Sequence, residues 1–142
     1  MTDEDPNCEN IPNRLLLLKS IKQLSMDNNT LSPLEQVGAI TELINLFPLK
    51  GISSECINQV IQTLYNLTRI DRGRQDQAAK AGIIPHLMKI IEENSPLKQF
   101  ALEIILDLGK TPSGRVELAK LNGVEFYLSL LTEYETWRFH TF

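Results

Sequence analysis

Apolar residues recur along this chain at the three-and-four spacing of amphipathic helices, and no stretch alternates as a strand would. Leu17, Leu18, Ile21 and Leu24 predict a first helix from about Asn13 to Met26, broken by Asp27-Asn28-Asn29. Ser32-Pro33-Leu34-Glu35 then carries a start signal: a capping Ser, a Pro at the first helical position, and a Glu able to reach back to the cap. Leu34, Val37, Ile40, Leu43, Ile44 and Phe47 are its expected buried stripe, and Pro48 and Gly51 end it. Ser53 caps a third helix over about 54–69, with Ile57, Val60, Ile61, Leu64 and Leu67 on its apolar face. A short helix near 74–81 stops at Gly82, in the left-handed position that glycine enters cheaply. Pro85 opens the next helix, where its missing N–H does no harm, and Leu87, Met88, Ile90 and Ile91 supply the core face.

The order then repeats. Ser95-Pro96 predicts a helix to about Lys110 with Phe100, Ala101, Ile104, Ile105 and Leu108 inward. Thr111-Pro112 opens a short helix stopped by Asn122-Gly123, and Val124 to about Glu133 forms a last complete helix with Tyr127, Leu128 and Leu131 inward. The two copies match 41 positions apart: Asn66-Leu67 with Asp107-Leu108, Arg74 with Arg115, Ala78 with Ala119, Gly82 with Gly123, and Leu87 with Leu128. A long, a short and a medium helix at this period predict an all-α, armadillo/HEAT-like helical repeat (an α-α superhelix), and three helices per unit favour armadillo over HEAT. No unit of this kind buries its own apolar face, so each stacks on a neighbour. The expected organisation is an acidic, disordered lead over 1–12 and a repeat domain over 13–142. Within it, full repeats lie near 54–94 and 95–135, after a degenerate N-terminal one and before a truncated next helix at 136–142.

Composition narrows the function. The chain has 142 residues, 42% hydrophobic and 23% charged, which suits one globular domain with a substantial core. A net charge of −4 lacks the basic footprint that displaces phosphate counterions, so nucleic acid is not an expected partner. The longest purely apolar run, Leu15–Leu18, is one helical turn, so no membrane span is expected. Residues 1–10 carry Asp3, Glu4, Asp5 and Glu9 and do not read as a signal peptide. Cys8 and Cys56 read as free thiols of a reducing, cytoplasmic setting, although a disulfide between them is possible on paper.

Leu64-Tyr65-Asn66-Leu67 followed by Ala81-Gly82-Ile83-Ile84-Pro85-His86-Leu87-Met88 looks like a standard armadillo repeat. Gly82–Leu87, then Asn94–Leu102, and then Gly123–Leu131 resemble more particularly the armadillo-like non-catalytic region of the Ste20-like protein kinases of mitotic exit and septation initiation. The related plant kinases named MAP kinase kinase kinase epsilon share it. The resemblance covers residues 54–137, or 84 of 142. It implies a region outside the kinase domain that serves recruitment to the spindle pole body, through a Ras-like GTPase and a pole scaffold, or self-association. The kinase itself is absent: there is no Gly-rich loop, no His-Arg-Asp and no Asp-Phe-Gly, only echoes at Asp71-Arg72-Gly73 and Asp107-Leu108-Gly109. The chain therefore reads as a fragment of such a kinase or a kinase-free relative.

Catalytic chemistry has little to work with, and no cofactor or metal is expected. His86 follows Pro85 at a helix start, His140 lies near the end, and two cysteines without a spaced His make no zinc site. The surface is more informative. Asn58, Gln62, Asn66 and Arg69 fall on one face of the first long helix, and Gln99, Glu103, Asp107 and Lys110 fall at the matching positions of the second. A polar ladder there suits an extended peptide, and the amide of Asn66 can both donate to and accept from one peptide unit; an ordinary solvated face is the alternative. Arg69, Arg72 and Arg74, with Lys80 and Arg115, suit a carboxylate or phosphate on an acidic or phosphorylated partner; a loop paired to Asp71 and Asp76 is the alternative. Ser32-Pro33, Ser95-Pro96 and Thr111-Pro112 fit proline-directed phosphorylation but are better read as helix caps. Trp137, Phe139 and Phe142 are the expected self-association residues of a homo-oligomer. The expected role is thus a protein-interaction and localisation module, with a purely structural dimerisation domain as the alternative.

Overall fold

The computed structural model describes the backbone of residues 11–141 and the side chains of residues 13–133; nine helices follow one another, and no strand occurs among the described residues. They form three successive triads: α1 (Ile11–Ser25), α2 (Asn28–Gln36) and α3 (Ala39–Ile44); α4 (Ser54–Thr68), α5 (Arg72–Lys80) and α6 (Ile84–Glu92); α7 (Lys98–Leu108), α8 (Pro112–Lys120) and α9 (Gly123–Thr141). The third helix of the first triad is the shortest, six residues against nine in α6.

The caps explain most boundaries. Ser53 accepts from the Cys56 N–H and Thr111 from the Gly114 N–H, as the sequence predicts, and Asp71 caps α5 through the Arg74 N–H. Gly82 is left-handed at φ 88°, as expected, but in the second copy the left-handed residue is Asn122 at φ 59°. Gly123 instead starts α9, where any Cβ would lie 2.7 Å from the Leu118 side chain. The Ser32-Pro33 start signal is not used. Asp27 caps α2 through the Asn29 N–H, Pro33 sits inside the helix, and Gly38 at φ 83° turns the chain into α3. That turn leaves Val37 exposed while Ile40, Leu43 and Ile44 stay buried. Ser95 accepts from the Leu97 N–H within a turn, so α7 begins at Lys98. The backbone runs helically from Gly123 to Thr141 with no break before 136. The side chains of Trp137 and Phe139, all of Phe142, and residues 1–10 lie outside the described residues.

Packing follows the triads. The long helices α1, α4 and α7 lie side by side, α5 packs on α8, and the third helix of a triad packs on the first of the next, α3 on α4 and α6 on α7. One apolar cluster runs through all three, centred on Val60, Ile61, Leu64, Leu67, Ile83, Ile84, Leu87, Ile104, Ile105 and Leu108. The Tyr127 hydroxyl donates to the Ile105 carbonyl at 2.8 Å and ties α9 to α7. Besides Val37, four residues of the predicted apolar faces are exposed: Leu17, Leu24, Leu128 and Leu131. They lie on the two terminal helices, whose outer faces no described helix covers. Leu87 and Leu128 therefore occupy different settings despite their matching positions.

The His86 ring stacks on Phe47 with centroids 5.0 Å apart, joining the first triad to the second. Burial, with Lys89 adding repulsion, lowers the His86 pKa. The charged form is thus disfavoured in the fold relative to the unfolded chain. Stability is complete above the ordinary histidine value of about 6.5 and declines as pH falls through it toward the lower folded value. Urea midpoints of the wild type should therefore fall between about pH 7.5 and 5.5, and those of His86→Gln should fall less; parallel declines would refute the assignment.

Candidate protein-interaction groove

The C-terminal halves of α4 and α7 enclose a cleft of about 460 Å³ lined by Tyr65, Arg69, Glu103, Leu106, Asp107 and Lys110. A second, of about 210 Å³, lies between α4 and the end of α1, with Ser25, Met26, Asn66 and Ile70 in its walls. Arg69 lines both and divides them.

Arg69 is held by an aromatic ring and not by an acid. Its guanidinium lies 5.8 Å from the Tyr65 centroid, and no carboxylate pairs with it among the described residues. Tyr65 is fixed in turn by an edge-on contact with Phe100, 5.4 Å between centroids. The Glu103 carboxylate accepts from the Tyr65 hydroxyl and, with some burial, raises the phenol pKa, so Tyr65 stays a neutral donor. Across the cleft Lys110 reaches Asp107 at 3.3 Å, an exposed pair of little energetic weight.

The expected ladder is only partly assembled. Asn66, Arg69, Glu103, Asp107 and Lys110 come together in the two clefts. Asn58 and Gln62 lie further back along α4 and bond each other at 2.6 Å, and Gln99 bonds Glu103 at 3.3 Å. The Asn66 amide is not simply open: it donates to the Ser25 hydroxyl at 3.0 Å, binding α4 to α1.

The expected basic patch separates into unlike environments. Arg74 is a correction: it is buried, donating to Glu35 at 2.8 Å and lying 3.7 Å from Asp71, so it presents no surface to a partner. Arg72 donates to the Lys110 carbonyl at 3.1 Å and Arg115 to the Gly109 carbonyl at 3.5 Å, two cations at the negative end of α7. Lys80 pairs with Asp76 at 3.1 Å. Asp76 also accepts from Ser113, and these contacts, Ser113 first, lower its pKa. Arg69 is what remains of the patch for a ligand. Sequence reasoning missed the apolar wall residues Tyr65, Leu106, Met26 and Ile70. Ile70 carries a signal in retrospect, an apolar residue directly after Arg69 at the end of a helix. No group of three or more His, Cys, Asp or Glu poised for a metal occurs among the described residues, and no described helix is long and apolar enough to cross a membrane.

No family model matches the chain, and no solved structure matches it. Curated proteins do. Cytokinesis protein sepH of Aspergillus terreus is 40% identical over 124 residues, 84% of this chain and 9% of the relative. MAP3K epsilon protein kinase 1 of Brassica napus is 39% identical over 129 residues, 89% of this chain and 10% of the relative. Cell division control protein 7 of Schizosaccharomyces pombe is 32% identical over 122 residues, 83% of this chain and 12% of the relative. The chain spans about a tenth of the length of the relatives it matches.

Proposed function

We propose, from its kinship with a segment of the sepH cytokinesis proteins and the MAP3K epsilon kinases, that this chain is a non-catalytic protein-interaction and localisation module. It holds an extended segment of a protein partner along the clefts beside α4. Arg69 supports this reading best, because a guanidinium stacked on Tyr65 and free of any described carboxylate is oriented for an incoming acid or phosphate. Leu106, Met26 and Ile70 are exposed apolar contacts on either side of it. On this reading the module would bring a longer polypeptide to the spindle pole body in the cytoplasm by engaging a Ras-like GTPase or a pole scaffold. The chemistry is surface complementarity; no residue is assigned a reaction.

The test is a selection of displayed peptides on the whole chain, followed by anisotropy titration of the selected peptides. Arg69→Glu should weaken binding of acidic peptides by about tenfold or more, near 1.4 kcal/mol, while Lys80→Glu, outside both clefts, should leave it unchanged. Equal affinity for wild type and Arg69→Glu would remove the groove reading and leave the purely structural one.

A further inference from the structure

The first and last described helices carry apolar strips that no described residue covers and that are internal surfaces elsewhere in the same chain. On α9, Val124, Leu128 and Leu131 are exposed, and 41 positions earlier Ile83, Leu87 and Ile90 are buried. Leu128 is 58% exposed and Leu87 0%, the difference being the α7 helix that packs on α6. The other end shows the mirror case. α1 and α4 are both 15 residues long, and their ends are 43 positions apart. In that register Leu18 matches Ile61 and Ser25 matches Thr68, and all four are buried. Leu17 matches Val60 and Leu24 matches Leu67, yet Leu17 is 63% exposed where Val60 is 0%.

Within the chain, a third helix seats on the first helix of the next triad, α3 on α4 and α6 on α7. We propose that α9 of one copy seats on α1 of a second copy in the same way, so that the chain associates head to tail. Two observations select that occupant. The positions of buried Ile84 and Ile91 become Glu125 and Thr132 in α9, giving an apolar strip with an acid beside it, as at the polar rim of an interface between molecules. The charges also differ between the ends. α1 carries Arg14, Lys19 and Lys22 and no acid, whereas the α9 sequence carries Glu125, Glu133 and Glu135 against the single arginine Arg138. Glu133 meets Lys98 of its own chain at 3.6 Å, which leaves Glu125 to face the exposed Lys19 of the second copy. Joining two like ends would oppose like charges; joining unlike ends does not. Such a contact is heterologous and leaves a free strip at each end of every assembly.

Sedimentation of the whole chain over a concentration series tests this. The wild type should form species larger than a dimer as concentration rises, shrinking as salt is added. Leu17→Glu and Leu128→Glu, both at exposed positions, should each sediment as folded monomers. Their equimolar mixture should give a dimer and nothing larger, because only one good head and one good tail remain per pair. Lys19→Glu should weaken association, and adding Glu125→Lys should restore it. A wild type that stays monomeric, a Leu17→Glu variant that still dimerises, or a mixture that does not pair overturns the proposal. None of these residues lines the cleft between α4 and α7, so failure here leaves the groove reading standing.

Discussion

Gly114→Ala should destabilise the protein by about 3 kcal/mol or more, while Gly73→Ala, its counterpart 41 positions earlier, should change stability by no more than about 1 kcal/mol in either direction. Both glycines lie in the first turn of the short helix of their triad. A Cβ on Gly114 would fall 1.8 Å from the Leu108 carbonyl oxygen, 2.6 Å from its carbon and 2.7 Å from the Thr111 hydroxyl. Two of these three atoms belong to backbone, so relief requires α7 and α8 to part. The Leu108 carbonyl already accepts from the Thr111 N–H and hydroxyl, and Thr111 caps α8, so parting them also breaks the cap. On Gly73 the added Cβ meets one atom, Asp71 Oδ1 at 3.2 Å, the capping oxygen of α5, which needs to shift by only a few tenths of an ångström, and alanine favours the helix. Urea midpoints of the two variants check the contrast. Hydrogen exchange should further show α7–α9 losing protection before α4 does, because repeats share stability mainly with neighbours. Equal losses from the two substitutions would mean that the helix junctions are not built differently.

That contrast marks how far the sequence could be read. The helical nature of the chain and the caps at Ser53 and Thr111 were legible because each depends on neighbours along the chain; the expected medium third helix was not, since the third helices run 6, 9 and 19 residues. The repeat also placed Asn66, Arg69, Glu103, Asp107 and Lys110 on one side, where the clefts gather them. Illegible were the features set by residues about 40 positions away. Arg74 and Arg115 occupy matching positions, yet Arg74 is buried against Glu35, 39 residues earlier, and Arg115 is exposed. The residue 39 before Arg115 is Asp76, whose shorter carboxylate is taken by Lys80 and Ser113. Periodicity predicts which face of a helix is apolar and not whether a neighbour exists to cover it; hence Leu17, Leu24, Leu128 and Leu131 were placed inside. The first turn of α2 was lost for a different reason. Ser32-Pro33 is a sound start signal, but Asp27 caps the chain earlier and Ser32 is left to accept from Arg74 at 3.3 Å.

Arg74→Ala should cost about 3 kcal/mol, at the lower end of what breaking a buried ion pair costs, and the loss should be concentrated in the first triad. The Arg74 side chain is 10% exposed and that of Glu35 is 30% exposed. One guanidinium joins three groups: Glu35 and Ser32 on α2, and Asp71, which caps α5. Gln77 adds a second donor to the other Glu35 oxygen. Removing the arginine leaves a partly buried carboxylate with one neutral donor, whereas removing both charges leaves only lost packing. Glu35→Leu combined with Arg74→Leu should therefore be more stable than the sum of the single losses predicts, with a coupling of about 1–2 kcal/mol. Arg74→Lys should recover little, since an ammonium cannot span Glu35 and Ser32 in one plane as the fork does. Hydrogen exchange would show α2 and α3 opening first, because the other ties of that triad to the second are the Gln77–Glu35 and Asn66–Ser25 bonds, the Phe47–His86 stack and apolar packing. Additive single losses would mean that Arg74 acts through its packing alone, and uniform loss of protection would mean that the triads melt as one body.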